Sequence, residues 1–326
     1  MPIQTALCDL LNIDHPILLA PMAGVSGGAL AAAVSEAGGL GLIGLGYGDA
    51  DWQEAQFDAA NGARVGAGFI TWSLARQPDL LAQALARNPA AVLLSFGDFQ
   101  PFVPQIRNAG SKIIVQIQTL KQAQHAIDLG VDAIVAQGTE AGGHGGERAT
   151  FPLVPAIVDI AGDIPVIAAG GIADGRGLAA ALALGAAGVL CGTVFYAADE
   201  SLASDNAKSV AINGSGDDTE RSSVFDLARG IDWPPEWNIR TMRNSFTRQW
   251  SGNIAGLTEN LMQEQARFEA ARAADNTDIS AVIVGEAADL VRRRESAQQT
   301  LQKIVREADT RLQALARMVD SGAVRP

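Results

Sequence analysis

Cysteine is scarce in this 326-residue chain: only Cys8 and Cys191 occur, and neither stands in a CxxC or mixed Cys/His cluster. A zinc or disulfide framework is therefore not what organises the molecule, and no metal is expected. Aromatic residues are also few, at 5% against 48% hydrophobic residues overall, so Ala, Leu, Val and Ile must fill the interior. That composition suits a packed α/β core. Basic residues are outnumbered, 24 Lys and Arg against 36 Asp and Glu, for a formal net charge of −12. Nucleic acid is a poor partner for such a chain, because most of the affinity for phosphates comes from Lys and Arg, and a small-molecule substrate is expected instead. No apolar run is long enough to span a membrane. The opening MPIQTALCDLLNIDHP carries Asp9 and Asp14 and lacks a basic leader, so the expected location is the cytoplasm.

What the chain does have is alternation. Eight short apolar runs recur with amphipathic segments between them: Pro16–Ala20, Leu40–Ile43, Val65–Phe69, Ala91–Ser95, Lys112–Gln116, Ala133–Ala136, Pro165–Ala168 and Gly188–Gly192. This is the pattern of parallel strands joined by crossover helices. Helices are expected over Ser26–Ala37, Asp79–Asn88, Thr119–Leu129 and Gly175–Leu184, with Gly38, Gly130 and Gly185 ending three of them as left-handed caps. An open doubly wound sheet shows the same local alternation; the count of eight favours closure into a (β/α)₈ TIM barrel. The barrel is assigned to residues 1–200 and a mainly helical C-terminal extension to residues 201–326. In that extension Leu301, Ile304, Val305, Ala308, Leu312, Leu315 and Val319 form one apolar helical stripe, to be buried on the barrel wall or in a homodimer contact.

In a barrel of this kind chemistry belongs to the loops that follow the strands. Pro21 and Gly24 flank Met22 in a fixed turn after the first run. After the sixth, GTEAGGHGG holds a single imidazole, His144, among glycines that give it no packing reason to be there. With an ordinary pKa of about 6.5 it suits proton transfer near neutrality. His15 and His125 read as structural or merely exposed. The turns AAGGIADG after the seventh run and LCGT at the eighth offer backbone N–H groups and a helix N-terminus, which together bind phosphate. A phosphorylated cofactor follows from this, but its ring system does not. Gln116 and Gln137 direct amides to the same mouth, and Cys191 reads as packing rather than as a redox thiol.

Taken in order, PILLAPMAG, AVSEAGGLGLIGLGYG, VAQGTEAGGHGG, PVIAAGGIADGRGLAAALALGA and LCGTVFYA resemble the nitronate monooxygenase (2-nitropropane dioxygenase-like) family, from Pro16 to about Glu200, with a weaker likeness through VGEAADL at Val284–Leu290. The resemblance implies a metal-free FMN barrel with His144 as catalytic base. It places flavin contacts at Met22, Gln116, Gln137, Gly142, Leu190, Cys191, Gly192 and Thr193, with Gly143, Gly170 and Gly171 in the same glycine turns and the phosphate near Gly171, Gly192 and Thr193. Two positions depart from it. Gly68 stands where many members have asparagine, and Gln116 where related NADH:quinone reductases carry lysine. The implied reaction is oxidative denitrification of alkyl nitronates with O₂ to a carbonyl compound and nitrite. The alternatives are an NAD(P)H-dependent flavin reductase acting on quinones or enoyl thioesters, and a ligand-binding barrel without catalysis.

Overall fold

Along each apolar run successive side chains face opposite ways, and both faces are buried. The structure, a computed structural model, describes residues 3–320. Among the described residues there are eleven strands: β1 (Ile17–Leu19), β2 (Leu40–Gly44), β3 (Gly66–Ile70), β4 (Ala91–Ser95), β5 (Lys112–Ile117), β6 (Ala133–Gln137), β7 (Gly143–Gly145), β8 (Val166–Ala169), β9 (Gly188–Cys191), β10 (Thr219–Ser222) and β11 (Asn238–Met242). The eight expected runs are β1 to β6, β8 and β9, all parallel, and they close when Leu18 pairs with Leu190. The fold is the (β/α)₈ barrel.

The two buried sets separate cleanly. Leu18, Leu42, Leu93, Ile114, Val135, Ile167 and Leu190 fill the barrel, joined by Leu7 and Leu11 from an N-terminal helix (Ala6–Leu11). Leu19, Ile43, Phe69, Val92, Val115, Ile134 and Val189 point outward into the helix layer. Period two then places Gln116 above Ile114 and Gln137 above Val135, so both amides form the top of the interior face. At Gly66 and Gly68 of β3 this face carries no side chain, because neighbours occupy the space: a Cβ at Gly66 would lie 2.4 Å from Leu42 Cδ2 and one at Gly68 2.2 Å from Pro21 Cβ.

The helices expected after β1, β3, β5 and β8 occur at Gly28–Glu36, Asp79–Ala86, Leu120–Asp128 and Gly175–Ala183. Gly38, Gly130 and Gly185 have φ of 95°, 62° and 91°, the left-handed geometry their positions called for. The final helix, Ala297–Asp320, lies against both Gly175–Ala183 and Gly28–Glu36. Leu301, Ile304, Val305 and Ala308 are buried there, whereas Leu315 has emerged to 42% exposure and the side chain of Val319 lies outside the described residues. The helix thus takes the position of an eighth barrel helix, about a hundred residues after β9.

Between them the chain is largely helical and has a core of its own, built on Phe225, Phe246, Trp250 and Phe268. It also supplies β10 and β11, which pair antiparallel with each other and then with β7 in the order β10-β11-β7. β7 is part of the glycine stretch read from sequence as a loop. Its pairing Ile239 to His144 gives that stretch a partner strand, which the local composition could not reveal.

Candidate active site

A cavity at the C-terminal ends of the strands holds about 1190 Å³ of atom-free space, open mouth included. Met22, Gly68, Gln116, Gln137, Gly142, Gly143, His144, Gly170, Gly171, Leu190, Gly192 and Thr193 all line it. Cys191 does not. Its side chain packs in the outer layer and burial pushes the thiol up to about 12, so this position has only its main chain to offer.

The floor is shaped by close approach. The Met22 turn is locked by Ser26, whose Oγ accepts from Met22 N at 2.6 Å, and Gly44 lets β2 pass so near that a Cβ there would lie 2.5 Å from the Met22 main chain. Gly142 is pressed under Val284 and Gly285 in the same way, at 2.5 Å and 2.6 Å for an added Cβ. Gly285 N donates to Thr193 Oγ1 at 2.9 Å and Glu286 N to the Glu140 carbonyl at 2.9 Å. The VGEAADL segment therefore clamps the loops after β6 and β9 together.

The polar groups of the floor differ in how much they have left to give. Gln137 is engaged: Nε2 donates to the His144 carbonyl at 3.1 Å and Oε1 accepts from Gln118 Nε2 at 2.9 Å. Gln116 is 8% exposed, and its amide makes no hydrogen bond to any described residue. Likewise the amides of Gly171, Gly192 and Thr193 have no acceptor among the described residues. One sequence expectation is corrected: the helix after AAGGIADG does not present a free N-terminus. Asp174 accepts from Arg176 N and Gly177 N, and Glu307 accepts from Gly175 N, so carboxylates of the chain already occupy that positive end.

His144 is 7% exposed and fixed on three sides. Its Nε2 lies 2.9 Å and 3.1 Å from the two oxygens of Asp226, on a short helix (Val224–Ala228). A carboxylate only accepts, so the hydrogen sits on Nε2 and the lone pair is left on Nδ1. One face of the imidazole is covered by Trp233, stacked at 3.4 Å and 9°, and Phe96 stands edge-on at 6.3 Å. Burial holds the imidazole below its ordinary pKa; the Asp226 hydrogen bond and charge oppose this, while Arg229 and Arg221 add to it.

Arg221 on β10 fixes the glycine stretch from outside. Its guanidinium donates to the carbonyls of Thr139, Ala141, Gly143 and Asn238 at 2.6 to 3.1 Å. Arg240 Nε adds a further donor to Thr139 O at 3.0 Å. Burial, with Arg240 beside it, pushes the Arg221 pKa down to about 10. Asp226 and Arg221 were not legible as site residues. They lie more than seventy residues beyond His144, in a stretch with no motif, and only the pairing of β7 with β11 brings them to the barrel mouth.

Among the described residues no helix is long and apolar enough to cross a membrane. The family model for nitronate monooxygenase matches residues 4–64 and 75–307. A nitronate monooxygenase of Paraburkholderia phytofirmans is 34% identical over 298 residues, covering 75% of this chain and 78% of that one. A hydroxy-methyl-oxo-octahydroindene-carboxyl-CoA dehydrogenase of Rhodococcus jostii is 33% identical over 259 residues, covering 78% of this chain and 70% of the relative. Among solved structures, FabK from Thermotoga maritima superposes with a TM-score of 0.84 at 32% identity, covering 97% of this chain and 99% of that one. The chain belongs to the nitronate monooxygenase family of flavin-dependent oxidoreductases.

Proposed function

We propose that this enzyme uses FMN and O₂ to convert alkyl nitronates, and the nitroalkanes from which they arise, into a carbonyl compound and nitrite. The observation that carries the reading is the His144–Asp226 pair, a buried imidazole whose one free lone pair lines the cavity. The floor fits the cofactor: the unpartnered Gln116 amide suits the polar edge of a flavin ring, and the free amides of Gly171, Gly192 and Thr193 suit its phosphate. Bound flavin supplies the electron transfer to O₂ that a protein side chain cannot.

The chain's own part is proton transfer and positioning. With a neutral nitroalkane, the α C–H bond breaks, the proton goes to His144 Nδ1, and the electron pair moves onto the nitro group to give the nitronate. Asp226 stabilises the imidazolium that forms, and the Trp233 face adds a cation–π contact. With a preformed nitronate no proton has to be removed, and His144 is not needed as a base. Trp233, Phe96 and Trp237 wall off water around the imidazole.

An absorption spectrum of the purified protein, followed by oxygen uptake with propyl nitronate and with NADH, tests cofactor and reaction together. A flavin spectrum with uptake on the nitronate is expected. Replacing His144 by Asn should then depress turnover of nitroalkanes more than of nitronates; equal losses remove its role as base.

A second reading, an NAD(P)H-dependent reductase of quinones or enoyl thioesters, draws support from the relative named for a carboxyl-CoA substrate. Gln116 weighs against it, because an amide gives only hydrogen bonds where an ammonium would stabilise negative charge on a reduced ring. Rapid anaerobic bleaching by NADH or NADPH would favour this second reading.

A further inference from the structure

Tyr47, in the loop after β2, reaches across the cavity to the inserted region. Its hydroxyl oxygen accepts from Trp233 Nε1 at 3.1 Å and from Arg229 Nη2 at 3.3 Å. Trp233 is the residue stacked on His144, and Arg229 Nη1 lies 3.9 Å from Asp226. The main chain of Tyr47 is pinned as well: its carbonyl accepts from Ser73 Oγ at 3.0 Å and from Gln77 Nε2 at 3.4 Å. A phenol has two acceptor lone pairs and one hydrogen. Here both lone pairs are taken by N–H donors, one of them cationic. The hydrogen has to point elsewhere, no acceptor among the described residues takes it, and the side chain lines the cavity.

We infer that Tyr47 is a further catalytic residue, whose O–H donates a hydrogen bond to an oxygen of the substrate while His144 faces the carbon that loses its proton. The inference rests on the reading of His144 as base and adds the site for the opposite end of the substrate. As the C–H bond breaks and an N–H bond forms at Nδ1, the electron pair comes to rest on the substrate oxygens. The Tyr47 hydrogen bond strengthens as that charge develops, and the O–H itself stays intact. Two N–H donors on the phenolic oxygen, one from a guanidinium, make it a stronger donor, because hydrogen bonds in a chain polarise one another. The substrate class this selects is one with a planar oxyanion, or an oxygen that becomes one, next to an acidic C–H.

The test uses the purified holoenzyme with nitrate as an inert planar oxyanion, titrated by tryptophan fluorescence, to which Trp233 contributes. Tyr47→Phe keeps the ring and removes only the hydroxyl. It should weaken nitrate binding by about tenfold to a hundredfold, the effect of losing one hydrogen bond to a charged group. Arg229→Gln, which keeps an N–H for the phenolic oxygen but not the charge, should give a smaller loss in the same direction. Unchanged nitrate affinity in Tyr47→Phe overturns the inference, as does failure of the wild type to bind nitrate. Should Tyr47→Phe not fold, unchanged affinity in Arg229→Gln decides against it. Exchange of the nitroethane methylene protons in D₂O, followed by proton NMR, keeps the two ideas apart. A wild type that binds nitrate through Tyr47 yet does not accelerate exchange refutes the His144 reading and leaves the hydroxyl donor standing.

Discussion

Replacing Asp226 by Asn leaves shape and hydrogen-bond reach almost unchanged and removes one negative charge 2.9 Å from His144 Nε2. The Asn side-chain oxygen still accepts from Nε2–H, so the tautomer that leaves Nδ1 free persists. What is lost is stabilisation of the imidazolium once the proton has been taken. At that separation and an effective dielectric of about 20, the gross attraction is about 6 kcal/mol. Desolvation of the buried pair cancels most of it, leaving the roughly 1.5–3 kcal/mol typical of a hydrogen bond to a charged group. Turnover of nitroethane, measured as kcat/KM, should therefore fall about 10- to 150-fold. The same variant should turn over preformed ethyl nitronate nearly as well as the wild type. Because Asp226 is what holds the His144 pKa up against burial, its loss should also move the acid limb of the nitroethane pH profile to lower pH. Equal losses on both substrates, or an acid limb that moves up, would refute the assignment of this pair.

Three further outcomes follow from the same geometry. Since folding lowers the His144 pKa, the unfolded chain takes up a proton first as pH falls, so stability should be full above about 6.5, the free imidazole value, and decline below it until the folded pKa is passed; urea midpoints across this range should show the decline, and His144→Gln should abolish it. Arg221→Met strips the carbonyls of Thr139, Ala141, Gly143 and Asn238 of their donor, and should cost on the order of 3–5 kcal/mol in urea unfolding, since several charge-assisted hydrogen bonds go at once. Gly68→Asn would drive its Cβ to 2.2 Å from Pro21, displacing the turn that carries Met22; a loss of about 1–3 kcal/mol is expected by thermal melting, from overpacking, and unchanged stability would contradict the close approach.

That clash bears on Gly68, which stands where many members of the resembled family have asparagine. Pro21 occupies the space above β3 that a side chain at this position would need, so strand and turn fit one another in a way visible only once both are placed. The Gln116 and Gln137 pair makes the same point. Both read alike in sequence, at the ends of consecutive strands, but the structure ties Gln137 to Gln118 and His144 and leaves Gln116 without a hydrogen bond to any described residue.

Sequence alone determined the barrel and the rim at which its cavity opens. Strand and helix periodicity, left-handed glycines after helices, and the count of eight runs are local signals, because each arises from the chemistry of neighbouring residues; the functional loops follow because every parallel strand has its C-terminal end at the same rim. The family motifs and His144 were legible for the same reason. The tertiary structure decided everything that depends on contact between segments far apart in the chain. The glycine stretch became a strand by pairing with Asn238–Met242, the closing helix arrived at Ala297–Asp320, and Asp226, Trp233, Arg229 and Tyr47 converged on one imidazole. Tyr47 lies within one of the family stretches, but its pairing with Trp233 and Arg229 has no local signature, and neither has Asp226, since an Asp in a polar stretch has the same propensities whether or not a histidine more than eighty residues away comes to rest beside it.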